Sequence, residues 1–423
     1  MNILNQFLQC KVSLGDELID LNSRLNNLNT TYAGLKKGSF TIVRAKDPID
    51  FSLQFFLALD KGLIPIPVAN DIPEIQLNRL TEMYQGEGSG FENAYACLTS
   101  GSTGEPKLCV LSVKNALQNA SAHAGSLEIS KNQTVVQTLP LYHSFGIVCY
   151  LFGAIEIGFH LNLNKAFLGL KSLNRKNVDK GVIHLSPAQV QFITKEAGES
   201  TNHFEVVSIG GGVASKSSLE VLAQKFPNAK LYTTYGLTEA GPRVTSGLWQ
   251  KEKYKTGDIG KALSGIQLKV LNSNGELVLK GEGLLAIKTP YLKLNDRDDL
   301  VDDFYITRDI VSLQNGNVCF NSREGDLINR GGISVYPRLI EEIVNSHSEV
   351  EDCIVFKEQS DEYEEVPVLV VETNLSVDEI KSLIKYDLDI HQKPVRIYCF
   401  KEFPRMSLNK IDRNKLKKWM QYE

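Results

Sequence analysis

Residues 98–107 read Leu-Thr-Ser-Gly-Ser-Thr-Gly-Glu-Pro-Lys. The apolar run Tyr95-Ala96-Cys97-Leu98 leads into them and Leu108-Cys109-Val110-Leu111 leads away, which predicts strand, hydroxyl-rich loop, strand. Gly101 and Gly104 let the backbone turn and approach a ligand closely. Thr99, Ser100, Ser102 and Thr103 set hydroxyl donors beside successive amides, the chemistry of a phosphate cradle. A P-loop would need Gly-Lys-Ser/Thr opening a helix. Here Glu105-Pro106 separates Gly104 from Lys107 and Pro106 removes an amide, which argues against a Walker-type site. Taken alone, the loop could also be a plain Gly/Ser turn.

Three further segments follow it in order. Residues 232–241 read Tyr-Thr-Thr-Tyr-Gly-Leu-Thr-Glu-Ala-Gly, residues 323–337 run from Arg323 to Pro337 through Arg330-Gly331-Gly332, and residues 409–413 read Asn-Lys-Ile-Asp-Arg. With the hydroxyl loop first, this succession resembles the adenylate-forming (AMP-binding) superfamily of acyl- and aryl-CoA ligases, luciferases and peptide-synthetase adenylation domains. The resemblance covers residues 38–423. One such motif is weak; four in register are specific.

With 423 residues the chain can hold a large core and more than one domain. A formal net charge of −4 gives no global attraction to nucleic acid or an anionic membrane, and no apolar run approaches a membrane span. Residues 1–14, interrupted by Asn2, Asn5, Gln6 and Lys11, lack a signal peptide's layout and predict a short amphipathic helix. Seven cysteines, Cys10, Cys97, Cys109, Cys149, Cys319, Cys353 and Cys399, are scattered with no Cys-x-x-Cys pair. They read as small buried hydrophobes, and a reducing cytoplasmic location is expected.

Residues 39–44 and 63–68 predict strands flanking a helix at 49–60, and a short helix is expected near 75–84. Beyond the loop, strands at 135–139, 182–185, 206–209 and 231–235 alternate with helices at 112–124, 186–197 and 215–226. Each of these helices opens on a capping serine. That alternation predicts parallel α/β layers. From 256 to 322 the pattern turns to short strands, with hairpin signals at Asn272-Ser273-Asn274-Gly275 and Gln314-Asn315-Gly316-Asn317. After 325 come a helix at 337–347, strands at 350–356 and 366–372, a helix at 376–387 with a Ser376/Glu379 capping box, a strand at 395–400 and a basic helix at 412–422. The expected fold is a large α/β domain with a β-barrel-like subdomain, residues 1–324, followed by a small, mobile α+β lid, residues 325–423.

Adenylation joins a carboxylate to the α-phosphate of ATP and expels pyrophosphate. Both reactants are anions, so the site must neutralise charge and align carboxylate with phosphorus. The resemblance implies that Thr99, Ser100, Gly101, Ser102, Thr103, Gly104 and Lys107 serve the ATP phosphates, that Thr238 contacts phosphate and that Glu239 holds Mg²⁺. It implies that Tyr235, beside Gly236, stacks on adenine, that Gly210, Gly211 and Gly212 pass the adenine and acyl groups, and that Asp309 takes the ribose hydroxyls with Arg323 after it. Lys410 resembles the mobile lysine bridging carboxylate and α-phosphate, a role suited to a compact cation. Gly325 resembles the hinge about which the lid swings between half-reactions, and Gly331-Gly332 the strand lining the pantetheine tunnel. Plainer alternatives exist: a helix-capping pair at Thr238-Glu239, a slack turn at 210–212, a linker turn at 325 and a solvated helix start at Lys410.

The substrate class rests on Leu139-Pro140-Leu141-Tyr142-His143-Ser144-Phe145-Gly146, which resembles the ligase segment whose histidine sits at the carboxylate. Gly146 belongs to the same acyl-binding stretch, and no aspartate for an α-ammonium lies in it. The implied reaction activates an aryl or fatty acid as acyl-AMP, with ATP and Mg²⁺, then transfers it to CoA or a carrier protein's phosphopantetheine. A nucleotide-binding module without catalysis and an amino-acid-activating domain are the alternatives. The sequence departs from the family in three places: Arg308 and Asn409 stand where glycine is usual, and only residues 69–98 separate the first strand–helix–strand from the hydroxyl loop. Part of an N-terminal layer is therefore missing, and its exposed edge needs cover from residues 1–25 or from a second subunit, as in a homodimer.

Overall fold

The computed structural model describes residues 2–422 apart from 29–31, 33, 87, 89, 101–105, 166–172, 174–177, 179, 196–199, 361 and 406–410. Side chains of Ser100, Pro106 and Lys195 also lie outside the described set. Valine- and isoleucine-rich runs with no polar alternation become the centre of a fifteen-stranded sheet, as strands covered on both faces do. Its parallel half runs Lys230–Tyr235, Phe204–Ile209, Gly181–Leu185, Thr134–Val136, His160–Leu163 and Val12–Leu14. Helices Val113–Ser126, Pro187–Lys195 and Lys216–Lys225 alternate with these strands. Ser112 caps the first through the Asn115 N–H and Ser215 caps the third through the Ser218 N–H.

The predicted strand at 135–139 is shorter, ending at Val136: the Gln137 N–H still reaches the Asn162 carbonyl at 2.8 Å, and the amides after it turn to a side chain. The N–H groups of Thr138 and Leu139 donate to the Tyr150 hydroxyl at 3.2 and 3.3 Å. Beyond Tyr235 the sheet continues antiparallel through Thr245–Leu248, Asp258–Ala262, Asn317–Arg323, Phe304–Gln314, Gly281–Lys288 and Gln267–Leu271. Both predicted hairpins are present, with Leu271 facing Leu277 and Gln314 facing Asn317. This portion has its own core around Val270, Leu285, Ile287 and Val311. Its strands extend the parallel half without a break in the ladder, and among the described residues the path does not close into a ring.

The N-terminus packs into the core that helix Pro48–Asp60 helps to build. Helix Ile3–Leu8 is shorter than the expected 1–14, and strand Val12–Leu14 adds in parallel to His160–Leu163. Phe7, fully buried, packs on Phe56 with ring centroids 4.5 Å apart, and Phe55, Tyr95 and Phe152 complete an aromatic core beneath helix Pro48–Asp60. Strands Ala94–Ser100 and Pro106–Ser112 pair antiparallel around the hydroxyl loop.

After residue 325 a separate five-stranded sheet is built from Ile328–Arg330, Ile333–Val335, Val350–Ser360, Glu364–Thr373 and Arg396–Phe400. The expected strand at Gly331-Gly332 is instead a hairpin, with the two glycines in the turn between the first two strands. The Ser376/Glu379 capping box is present, although its helix, Val377–Leu383, ends earlier than 387. This sheet touches the large one through helix Pro337–Val344: Tyr336 donates to Glu282, Thr256 to Glu342, and Arg338 Nε to the Asn321 carbonyl at 3.3 Å. All seven cysteines are free, and Cys97, Cys109, Cys149 and Cys353 are buried. Among the described residues no helix is long and apolar enough to cross a membrane.

Candidate active site

Loops leaving the carboxyl ends of neighbouring parallel strands converge on one side of the sheet, where open α/β sheets place ligands. Tyr235 ends its strand, Gly210-Gly211-Gly212 follow Ile209, and the loop carrying His143 follows Val136. A β-bulge at Ile310/Val311 interrupts the ladder beside Asp309, a device that re-aims a side chain. The Asp309 carboxylate, 7% exposed, accepts the Tyr235 hydroxyl at 2.7 Å and Arg323 Nε at 3.2 Å. Burial, then the Asp309 charge, hold the Tyr235 phenol well above its usual range, so it stays a donor. Three residues expected from the sequence therefore meet at one anchored carboxylate.

A second contact joins two distant motifs: the hydroxyls of Ser144 and Thr238 are 2.8 Å apart. His143 is exposed beside this contact, its ring 4.6 Å from that of Tyr142. Glycine is a steric requirement at two turns here. A Cβ on Gly236 would stand 1.7 Å from the Pro242 carbonyl oxygen, and one on Gly210 would stand 2.6 Å from Thr234 Oγ1.

Glu239 lies toward the strand that leaves the hydroxyl loop. Burial first, then the Glu239 charge, raise the thiol of Cys109 in that strand, and the Glu239 carbonyl accepts the Lys293 N–H at 2.9 Å. In the hairpin itself Thr99 faces Lys107, whose side chain is exposed. Gly101, Ser102, Thr103 and Gly104 lie outside the described residues, as do the Ser100 side chain and Lys410. Among the described residues no group of three or more His, Cys, Asp or Glu side chains could hold a metal. A cation at Glu239 would therefore draw its other oxygens from phosphate and water.

Gly325 sits in the turn between Asn317–Arg323 and Ile328–Arg330, with nothing within 4 Å of where a Cβ would be. The neighbouring Asp326 pairs with Arg413 at 3.6 Å. Gly331 and Gly332 form the turn of the small sheet's first hairpin, with φ of +59° and +83°. Among the described residues no hydrogen bond links them to the Asp309 or Thr238 contacts. Gly146 packs against the Pro140 carbonyl. Sequence reasoning passed over Ser144, although it adjoins His143, and Arg243, which carries no periodic or motif signal.

A protein-family model described as AMP-binding enzyme matches residues 58–293, more than half of the chain, and the chain belongs to that family. It is 28% identical over 356 residues to a 2-succinylbenzoate–CoA ligase of Staphylococcus epidermidis, covering 80% of this chain and 74% of the relative. The ligase of that name from Bacillus pumilus is 24% identical over 422 residues, covering 96% and 83%. The fold matches the o-succinylbenzoate coenzyme A synthetase of Bacillus subtilis in complex with ATP and magnesium ion, with a TM-score of 0.83, 20% identity and coverage of 98% and 99%. ATP-bound MatB from Rhodopseudomonas palustris matches with a TM-score of 0.84, 16% identity and 99% coverage of both chains.

Proposed function

We propose that this member of the AMP-binding family activates an aryl acid with ATP to acyl-AMP and pyrophosphate, then transfers the acyl group to the thiol of CoA. The observation that supports this is that Tyr235, at the carboxyl end of strand Lys230–Tyr235, meets Asp309 and Arg323 from the antiparallel part of the sheet, while Thr238, three residues on, meets Ser144. Asp309, held by two donors, offers a fixed anionic acceptor to the ribose hydroxyls. Thr238 and the hydroxyl loop donate to phosphate, and Glu239 would hold Mg²⁺, whose charge would lower the repulsion between phosphate and the incoming carboxylate. His143 orients that carboxylate. Lys410 neutralises the charge that builds at the α-phosphate as the acyl–oxygen–phosphorus bond forms and pyrophosphate departs.

A cavity of about 670 Å³ adjoins the His143 loop, between Leu139–Tyr142 and the start of helix Pro187–Lys195. Its apolar walls, Phe51, Leu139, Leu141 and Phe192, suit an aryl body. Names of the relatives support both the aryl class and CoA as acceptor. The lid, residues 325–423, turns about Gly325 between the two half-reactions. The test is acid-dependent pyrophosphate release from ATP across aryl, fatty and amino acids, followed by CoA-dependent release of AMP. Aryl acids should support both steps. Nucleotide binding without pyrophosphate release from any acid would leave a binding module instead.

A further inference from the structure

The small unit and the large sheet meet through polar groups. Among the described residues no apolar cluster spans the joint: those of the large unit end at or before Phe320, and those of the small one begin at Ile328. An interface without a shared apolar core comes apart reversibly. What holds it is therefore a short set of hydrogen bonds and one buried cation.

That cation is Arg338, in the first turn of helix Pro337–Val344, with its side chain 13% exposed. Its guanidinium enters a socket in the large unit. A Cβ on Gly257, whose φ is +89°, would stand 3.1 Å from both Cζ and Nη2 of Arg338, and 2.4 Å from the Phe320 carbonyl oxygen. Glycine at 257 thus leaves the room that the guanidinium takes up. Arg338 Nε donates to the Asn321 carbonyl at 3.3 Å. Asn321 Nδ2 in turn donates to Glu282 Oε2 at 2.9 Å, and the other oxygen of Glu282 accepts the Tyr336 hydroxyl. One turn on from Arg338, Glu342 accepts the Thr256 hydroxyl and faces Arg338 Nη1 at 3.6 Å. Nη1 itself is buried with no hydrogen-bond partner. A buried donor left over costs free energy, so this docking is specific without being permanent.

We propose that Arg338 is a positioning residue: seated in the Gly257 socket, it latches the lid in the orientation of this structure and so sets the balance between the two half-reactions. This rests on the two-step function and the lid rotation proposed above. Tyr336, Arg338 and Glu342 lie on the lid side of Gly325, while Thr256, Gly257, Glu282 and Asn321 belong to the large unit. Rotation at Gly325 therefore breaks all the cross-joint bonds together, which makes the joint a two-state element. Losing the latch shifts the population between the states and leaves the chemistry of each intact.

The test measures the half-reactions separately, with the aryl acid that supports the fastest pyrophosphate release and with its pre-formed acyl-AMP. Arg338→Ala should slow one of them, the one this orientation serves, by roughly 10-fold, and leave the other at the wild-type rate or faster. Tyr336→Phe, at the far end of the network, should move the ratio in the same direction by a smaller factor. Amide hydrogen exchange across 254–258 and 336–344 should quicken in both variants, while strand Phe304–Gln314 exchanges as in wild type. Equal loss in both half-reactions, a ratio unchanged in both variants, or joint exchange no faster than wild type would overturn the latch. Should Arg338→Ala fail to fold, Tyr336→Phe, which removes a single hydroxyl, still decides. Absence of pyrophosphate release with every acid would remove the acid-activating function instead, and exchange at the joint would still test the docking.

Discussion

Gly236→Ala is the most direct test of the geometry that links the proposed adenine contact at Tyr235 to the proposed phosphate contact at Thr238. Gly236 does not need a left-handed backbone; it needs the absence of a side chain. An added Cβ would meet the Pro242 carbonyl oxygen at 1.7 Å, its carbon at 2.7 Å and the Arg243 Cα at 3.0 Å. All three are main-chain atoms, so no side-chain rotation relieves the overlap. Restoring even a 3.0 Å contact separates the 236 and 242 segments by roughly 1.3 Å, and Tyr235, Thr238 and Glu239 ride on the first of them. Overpacking of this kind costs about 1–3 kcal/mol of stability. Displacement of reacting groups by ~1 Å commonly lowers turnover about 10²-fold. We expect a lowered Tm in thermal unfolding and acid-dependent pyrophosphate release reduced by about two orders of magnitude. Gly125→Ala is the control: nothing lies within 4 Å of its Cβ and it sits in helix Val113–Ser126, so alanine should be neutral or stabilising by up to about 1 kcal/mol. Wild-type turnover and Tm in Gly236→Ala would refute the close approach of these two segments.

Asp309→Asn should raise the KM for ATP about 10-fold or more while the protein stays folded, since it weakens two charge-assisted contacts; an unchanged KM would separate Asp309 from the nucleotide. Lys410→Ala should cut pyrophosphate release by ~10²–10³-fold yet leave thioester formation from pre-formed acyl-AMP largely intact, and equal damage to both would contradict a lysine specific to adenylation. Gly325→Ala, entering open space, should behave like wild type, whereas Gly325→Pro fixes φ and should impair one half-reaction far more than the other. Stability should also fall in mild acid. His123 and His184 stay neutral when folded, His184 pushed down to about 3 by burial and then by Arg243, while the unfolded chain takes up their protons below about pH 6.5. Each therefore contributes stability that is present above pH 6.5 and lost as pH falls, by about 1.4 kcal/mol per pH unit. Urea midpoints between pH 7 and 4.5 should drop less steeply in His184→Gln, and an identical slope would show that His184 is already charged in the fold.

Local pattern alone determined much of this protein. Apolar runs of valine and isoleucine between serine-capped helices specify a parallel α/β sheet, because strand period, helix period and capping chemistry act within a few residues. The hairpin signals at 272–275 and 314–317, and the Ser376/Glu379 capping box, are equally local, and each is present where expected. The motif order also marked Tyr235, Asp309 and Arg323 individually as site residues. What it left open depends on contacts between residues far apart in the chain. Strand Val12–Leu14 exists because the free edge of His160–Leu163 pairs with it, not because three residues prefer to be extended. The strand after Val136 ends where Tyr150, on a later turn, takes its amides. Arg243 looks like a surface cation in the sequence and becomes a buried charge only when Asn119, Thr234 and Phe145 close around it. Sequence pattern named candidate groups for the chemistry, and tertiary packing alone decided which of them meet, Asp309 with Tyr235 and Arg323, and Thr238 with Ser144.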